Sequence, residues 1–384
     1  MTKTKVTFCI PNMVIGGVET VFVNTINELS KCPDLSIKIV THAKIREPLY
    51  TDWLKTHPEI PVYVYYPLCN WFEDMQKYCK IFPLKQLRKL LFSTYKKYRR
   101  FVVGLKNIFS DSDIIIDYKN FSFHKELKNI TKPKVAWLHT ANSYFAKNGS
   151  FSRLPIYDKI ICITDDFVDV FKQDYPKYAD KILRIYNPID IELIRNKSAL
   201  GDVPKGKYFC HVSRLVAGKD IKTLLDAFEI FAKTNSDVKL YIVGDGDMAT
   251  SFKDYAKTLT SHNRIIFTGA LKNPYPIMRG AIANILSSEF EGLPTVLIES
   301  QVLGVPMISS DCKNGPREIL QNGKSGFLFD IGNVKQLSSH MKNIVNGDCD
   351  IKHITETATD ALFRFETGSV CQEIKSLFKN MVKQ

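Results

Sequence analysis

Two glutamates separated by seven residues, Glu291 and Glu299, stand in the stretch Ser288-Glu-Phe-Glu-Gly-Leu-Pro-Thr-Val-Leu-Ile-Glu-Ser300. Between them Pro294 favours the first position of a helix, where its missing N–H would be unpaired anyway. Glu291 then falls in the loop before that helix, whose free backbone N–H groups can receive an anion. Glu299 falls on the same side as Val296, Val302 and Leu303. A carboxylate on an apolar helix face needs compensation, because an unpaired buried charge costs several kcal/mol. The two hydroxyl donors of a ribose would supply it. At ~1.5 Å rise per residue the two carboxylates lie at most about 12 Å apart, so one can hold a sugar and the other a ribose across a diphosphate. The same pattern also fits a buried ion pair at Glu299 and a helix cap at Glu291, and Glu289 offers an alternative register.

Arg214 and Lys219 follow the strand-like run Tyr208 to Val212, at the carboxyl edge where open α/β sheets bind ligands. Two fixed cations there can neutralise a diphosphate leaving group. Gly16 and Gly17 lie between a first strand and the helical stretch Thr20 to Leu29, so their amides can approach a phosphate with no side chain in the way. His139 closes the apolar run Val135 to Leu138 and can hydrogen-bond a ligand or simply end a strand. Two Asp-x-Asp strings, Asp111-Ser-Asp113 and Asp245-Gly-Asp247, invite a metal reading. The first immediately precedes a strand and the second sits in a glycine turn, so no metal and no cofactor is expected.

These residues need elements to position them, and the chain alternates short apolar runs with amphipathic stretches from end to end, the pattern of parallel sheets with helices on both faces. In the second half Tyr208 to Val212, Val238 to Val243, Arg264 to Thr268, Ile282 to Leu286 and Pro306 to Ser309 read as strands. Thr223 to Lys233, Ser251 to Leu259 and Pro294 to Val302 read as helices. The first half repeats the theme with strands near Val6 to Ile10, Ser36 to Val40, Ile114 to Ile116, Val135 to Leu138 and Lys159 to Ile163. Tyr186-Asn-Pro-Ile-Asp190 and the polar stretch Ile191 to Lys207, without a strong period and with Pro188, Gly201, Pro204 and Gly206, read as the linker. Two doubly wound domains result, 1–188 and 203–364, with a ligand cleft expected between them. A length of 384 residues agrees with two domains.

At this point EGLPTVLIES followed by Gly304-Val-Pro306 resembles the signature of glycosyltransferase family 4, retaining enzymes of the GT-B fold. Other segments fall in that family's order: Gly16-Gly17-Val18-Glu19, His139, Asn187-Pro188, Val212-Ser-Arg-Leu215 with Lys219, Val243-Gly-Asp-Gly246, Phe267-Thr-Gly269 and Gly315-Pro-Arg-Glu318. The resemblance spans nearly the whole chain. It implies an α/β GT-B architecture, two Rossmann-like domains facing a central cleft, with 365–384 a helix crossing back to the first. Glu291, Gly292, Leu293, Thr295 and Glu299 are then assigned to the donor's sugar and ribose, and Arg214, Lys219, Gly16 and Gly17 to its diphosphate. By the same resemblance His139 lies at the reacting carbon, and Ala270 and Leu271, after Gly269, lie against the base. A nucleotide sugar is the implied co-substrate, UDP-linked by preference, and the implied acceptor is a glycan or lipid-linked glycan. Transfer would be metal-independent and on the same face of the sugar.

The net charge is 53 − 40 = +13, which calls for an anionic partner. Between Met75 and Ser110 there is no acidic residue, while ten cations fall within 77–106. In that segment Leu84, Leu87, Leu91, Tyr95, Tyr98 and Val102 recur at helical spacing, a stripe that either packs on the core or dips into an anionic bilayer interface. The second reading implies a peripheral position on the inner, cytoplasmic leaflet. Nine scattered cysteines without a Cys-x-x-Cys pair, and a beginning without an apolar leader, fit the cytosol. Neither Gly-Gly loop completes a nicotinamide fingerprint and no RNA-recognition signature accompanies the charge, so nucleic acid is not an expected partner. A UDP-sugar epimerase and a non-catalytic polyanion binder remain the competing classes.

Overall fold

Apolar runs without a polar face become strands buried on both sides, as parallel sheets covered by helices require. The computed structural model describes residues 3–14, 16–79, 81–106, 108–139 and 150–382. Two units emerge, one of residues 1–162, 170–185 and 371–384 and one of 163–169 and 186–370.

The first unit contains β1 (Thr4–Ile10), β2 (Leu35–Thr41), β3 (Val62–Val64), β4 (Ile114–Asp117), β5 (Lys134–Leu138), β6 (Lys159–Cys162) and β7 (Ile182–Arg184). They form one sheet in the order β3-β2-β1-β4-β5-β6-β7, with every pairing parallel. Phe8 of β1 meets Phe22 of the helix Gly17–Ser30 edge to face at 6.0 Å and Phe378 of the helix Thr367–Val382 at 6.5 Å.

The second unit contains β8 (Lys207–Val212), β9 (Val238–Val243), β10 (Ile265–Gly269), β11 (Ala283–Leu286), β12 (Met307–Ser310) and β13 (Phe327–Phe329), ordered β10-β9-β8-β11-β12-β13 and again all parallel. Side chains alternate along β8 with the strand period of two. Phe209 joins the cluster of Leu224, Phe228, Phe231 and Leu337, whereas Tyr208 and Cys210 join Met278 and Val305 on the other face. In this sheet the strand order reverses between β8 and β11, and in the first between β1 and β4. Such reversal points open a crevice at the carboxyl ends of the strands.

The stretch expected as a linker holds a helix, Ile191–Ser198, whose N-cap Asp190 accepts a hydrogen bond from Leu193 N at 2.8 Å. Two turns are too short to show a hydrophobic period, and the cap does the specifying. Pro294 is the N-cap of the helix Thr295–Val302 rather than its first residue.

Candidate active site

Two loops leave the switch point of the second sheet, one after β8 and one after β11. They are stitched together: Glu289 N donates to Gly218 O at 3.0 Å and Ser287 Oγ to Lys219 O at 2.9 Å. Lys219 Nζ lies 2.5 Å from Glu291 Oε1, which also accepts from Ser288 Oγ at 2.6 Å. Both partners of this pair are mostly buried, at 20% and 11% side-chain exposure. Glu291 Oε2 has no partner among the described residues. A Cβ built on Gly218 would stand 2.7 Å from the Phe290 ring, which is exposed and would have to turn aside.

Arg214 is exposed and, among the described residues, makes no ion pair. Its backbone is nevertheless fixed by the turn after β9. Gly244 has φ +141°, and a Cβ there would lie 1.8 Å from Ser213 O; at Gly246 it would lie 2.5 Å from Leu215 O. Leu215 N donates to Asp245 O at 2.9 Å, and the Asp245 carboxylate accepts from Gly246 N at 2.8 Å. This Asp-x-Asp string is thus part of the turn that holds Arg214. In the other string Asp111 pairs with Lys38 Nζ at 2.5 Å and Asp113 accepts from Lys5 N at 2.8 Å. Among the described residues no cluster of three or more His, Cys, Asp or Glu side chains could hold a metal.

Glu299 lies one helical turn after Thr295 on the helix that leaves this edge. Val296 and Leu303 of the same face pack against the cluster of Tyr208, Val243 and Met278. Burial raises the Glu299 carboxyl to about 6, opposed by a hydrogen bond from Thr295, and no cation pairs with it among the described residues. Among the described residues Glu299 thus has no ion-pair partner, and Glu291 does not cap the helix, which has no side-chain cap. Gly292, Leu293 and Pro294 are fixed from the other side by Gly315. Its φ is +93°, and a Cβ there would approach Gly292 O and Pro294 Cδ to 2.6 Å. Ala270 and Leu271, both exposed, follow β10 on the same carboxyl edge, after Gly269 at φ +74°.

One buried group escaped the sequence reading. His211 in β8 bridges the switch point, with Nδ1 donating to Ile285 O of β11 at 2.9 Å and Nε2 accepting from the Ser213 hydroxyl at 2.7 Å. Burial, and secondarily the charge of Lys219, pulls its pKa down to about 4, so the ring is neutral at pH 7. It ties down the strand end from which Arg214 emerges. A histidine inside an apolar strand carries no sequence signal of that role.

In the first unit Gly16 is the extended N-cap of the helix Gly17–Ser30. Its missing side chain makes room for Glu19, whose Oε2 a Cβ would approach to 2.8 Å. Glu19 is buried and paired with Lys119 Nζ at 2.5 Å. That pair, 100 residues apart in sequence, was invisible without the fold. His139 is buried at the end of β5, its ring stacked on Trp137 (6.1 Å, 4°) and tilted against Tyr118 (4.8 Å), and its N donates to Asn120 Oδ1 at 2.8 Å.

Residues 192–360 match the family model of "Glycosyl transferases group 1". The lipopolysaccharide 1,6-galactosyltransferase of Salmonella typhimurium is 31% identical over 179 residues, 46% of this chain and 49% of the relative. The N-acetylgalactosamine-N,N'-diacetylbacillosaminyl-diphospho-undecaprenol 4-alpha-N-acetylgalactosaminyltransferase of Campylobacter jejuni is 32% identical over 224 residues, 58% and 60% of the two chains. This chain thus spans about half the length of the first relative and three fifths of the second. Among solved structures, that of Anabaena HepE in complex with UDP superposes with a TM-score of 0.76 at 19% identity, covering 98% of this chain and 100% of that one. The fold is therefore GT-B, and the unit that carries Arg214, Lys219, Glu291 and Glu299 is the one that matches glycosyl transferases group 1.

Proposed function

We propose that this chain is a retaining glycosyltransferase. It would move a hexose or N-acetylhexosamine from a nucleotide sugar, with a UDP donor favoured, to a glycan or lipid-linked acceptor in cell-surface polysaccharide synthesis. The observation that carries the reading is the juxtaposition, at one sheet's switch point, of the Lys219–Glu291 pair with Arg214 and Glu299, neither of which has an ion-pair partner among the described residues. A nucleoside diphosphate sugar complements these groups one by one. Its diphosphate answers Arg214 and Lys219, its ribose hydroxyls answer Glu299, and a sugar hydroxyl answers Glu291 Oε2. The printed names of the relatives, galactosyl and N-acetylgalactosaminyl transferases, and the UDP in HepE agree with this class of donor.

In this reading Arg214 and Lys219 stabilise the charge that collects on the departing diphosphate, which is where fixed cations accelerate such a reaction most. The bond from the anomeric carbon to the diphosphate oxygen breaks. A bond from that carbon to an acceptor oxygen forms on the same face, and the acceptor's proton leaves with the diphosphate. No metal is needed in this reading; of the aspartates that suggested one, Asp245 accepts from Gly246 N in the turn after β9, Asp111 pairs with Lys38 and Asp113 accepts from Lys5 N. The resemblance assigns His139 to the transferred sugar and the Gly16-Gly17 turn to the diphosphate.

Thermal unfolding with UDP, GDP and NAD, in EDTA throughout, tests the reading. UDP should raise the transition selectively, and Glu299→Ala should remove most of the shift. Glu291→Ala should abolish sugar transfer while Glu289→Ala, at an exposed side chain, preserves it. No shift with any nucleotide in EDTA, including the case in which a shift returns only when EDTA is replaced by a divalent ion, would overturn it.

A further inference from the structure

The helix Phe82–Lys106 of the first unit leaves most of its leucine stripe outside. Its inward face is formed by Arg88, Phe92, Tyr95, Arg99 and the buried Val103. Arg88 Nη1 donates to Phe72 O at 2.8 Å, and Arg99 Nε and Nη2 both donate to Tyr65 O at 3.1 Å. The Tyr95 hydroxyl accepts from Leu68 N at 3.0 Å, and the Phe92 ring stacks on Phe72 at 4.8 Å. The leucine face is left in water: Leu84, Leu87, Leu90, Leu91, Tyr98 and Phe101 are between 47% and 67% exposed. Around it Trp71, Tyr78, Ile81 and Phe82 are also more than half exposed. Leucine and aromatic side chains projecting together over five turns form a continuous apolar ridge about 25 Å long, well beyond the scattered apolar residues of an ordinary soluble surface.

The charge around the ridge selects its occupant. Lys85, Lys89 and Lys97 are exposed on the same helix, and the sequence from Met75 to Ser110 offers no acid to balance them. A protein groove that received the ridge would also have to meet the positive field of three lysines without a carboxylate on their own segment. A bilayer with anionic headgroups does so without register, because the leucines enter the acyl boundary while the lysines reach back to the phosphates. Exposed Trp71 and Tyr78 have the amphipathic rings that settle at headgroup level. We infer that the exposed leucine and aromatic face of Phe82–Lys106, with its flanking lysines, docks this protein in the plane of an anionic lipid surface. The inference goes beyond the transferase reading and does not depend on it.

Co-sedimentation of the full chain with vesicles of phosphatidylcholine, and of phosphatidylcholine mixed with phosphatidylglycerol, tests it. Partitioning should be at least about tenfold stronger on the mixed vesicles and should fall with salt. The double variant Leu87→Glu, Leu91→Glu should lose about tenfold or more of that partitioning, as should Lys89→Glu, Lys97→Glu. Circular dichroism and the UDP-dependent thermal shift serve as controls; both should stay as in the wild type, since these side chains are exposed. A tryptophan at position 90, made as Leu90→Trp, should shift its emission to the blue on anionic vesicles only. Equal binding to both vesicle types, or none, would overturn the inference. So would unchanged binding of the Leu87, Leu91 variant, which would mean mere charge adsorption. Dissociation of a self-associated wild type by that variant, with no vesicle binding by either, would make a second copy of the chain the occupant instead.

Discussion

Glu299, the carboxylate we propose for the ribose, is held at a cost to the fold. Its carboxyl, ordinarily at 4.5, is raised by burial to about 6. Below pH 4.5 the folded and unfolded chains both hold the proton, and Glu299 contributes nothing to stability. Between 4.5 and 6 the folded chain keeps a proton that the unfolded chain releases; above 6 the folded carboxylate is ionised in a site that disfavours it. Glu299 therefore destabilises the empty protein at neutral pH, by roughly 2 kcal/mol for a displacement of this size. Glu299→Gln should raise the melting temperature at pH 7.5, and the gain should vanish near pH 4.5. The same variant should lose most of its UDP-dependent shift, because an amide accepts ribose hydroxyls less strongly than a carboxylate. Wild-type affinity for UDP should decline as pH falls through 6 while that of the variant stays level. A variant less stable than the wild type at pH 7.5 would mean that Glu299 serves the fold and not a ligand. Lys219 and Glu291 are arranged differently, since each compensates the other; among the described residues the second carboxylate oxygen has no partner, and in the proposed reading it meets the sugar.

At the scale of elements, the loop between Ser288 and Pro294 is clamped from two sides, by Gly218, whose carbonyl accepts from Glu289 N, and by Gly315 against Gly292 and Pro294. Gly315→Ala would add both a strained φ of +93° and a backbone collision at 2.6 Å, which together cost about 1–3 kcal/mol and displace Glu291. It should lower the melting temperature and reduce the UDP shift. Gly347→Ala is the control: φ is +78° there too, but a Cβ meets open space, so stability should fall by only about 1 kcal/mol with nucleotide binding intact. Equal nucleotide binding by the two variants would refute the clamp. The clamp was half legible in the sequence. EGLP and the Gly-Pro at 315 stood out as motifs, and the alternation of apolar runs was enough to recognise two doubly wound sheets. β3, β7 and β13, three residues each, are too short to show any period, so they were not foreseen. The apolar stripe of 82–106 was read at helical spacing and left between the core and a bilayer, because a period defines a face and not what covers it; the inward arginines were not foreseen. Arg88 and Arg99 face inward, where backbone carbonyls of Phe72 and Tyr65 accept their protons. Pairings such as Glu19 with Lys119 depend on which strands become neighbours, a property of the whole sheet that local spacing does not contain.

On the scale of the whole molecule, the last residues of the chain serve its first core. Residues 371–384 group with the amino-terminal unit although the entire second unit precedes them. Ile374 and Phe378 are buried, the Phe378 ring lies 6.5 Å from Phe8 of β1, and Arg184 stands 3.6 Å from Glu373. A strand formed near residue 8 thus keeps part of its apolar cover in water until the final helix has been made. Phe378→Ala would leave a cavity against β1 and should cost about 3–5 kcal/mol, a large part of the 5–15 kcal/mol that typically holds a domain. The second unit's clusters around Phe228 and Met278 are built from its own strands and helices. Limited proteolysis should therefore cut the variant first within 1–185, with 186–370 surviving as the resistant fragment. Initial cleavage within 186–370, or protection equal to the wild type throughout, would show that the final helix is not part of the first unit's core.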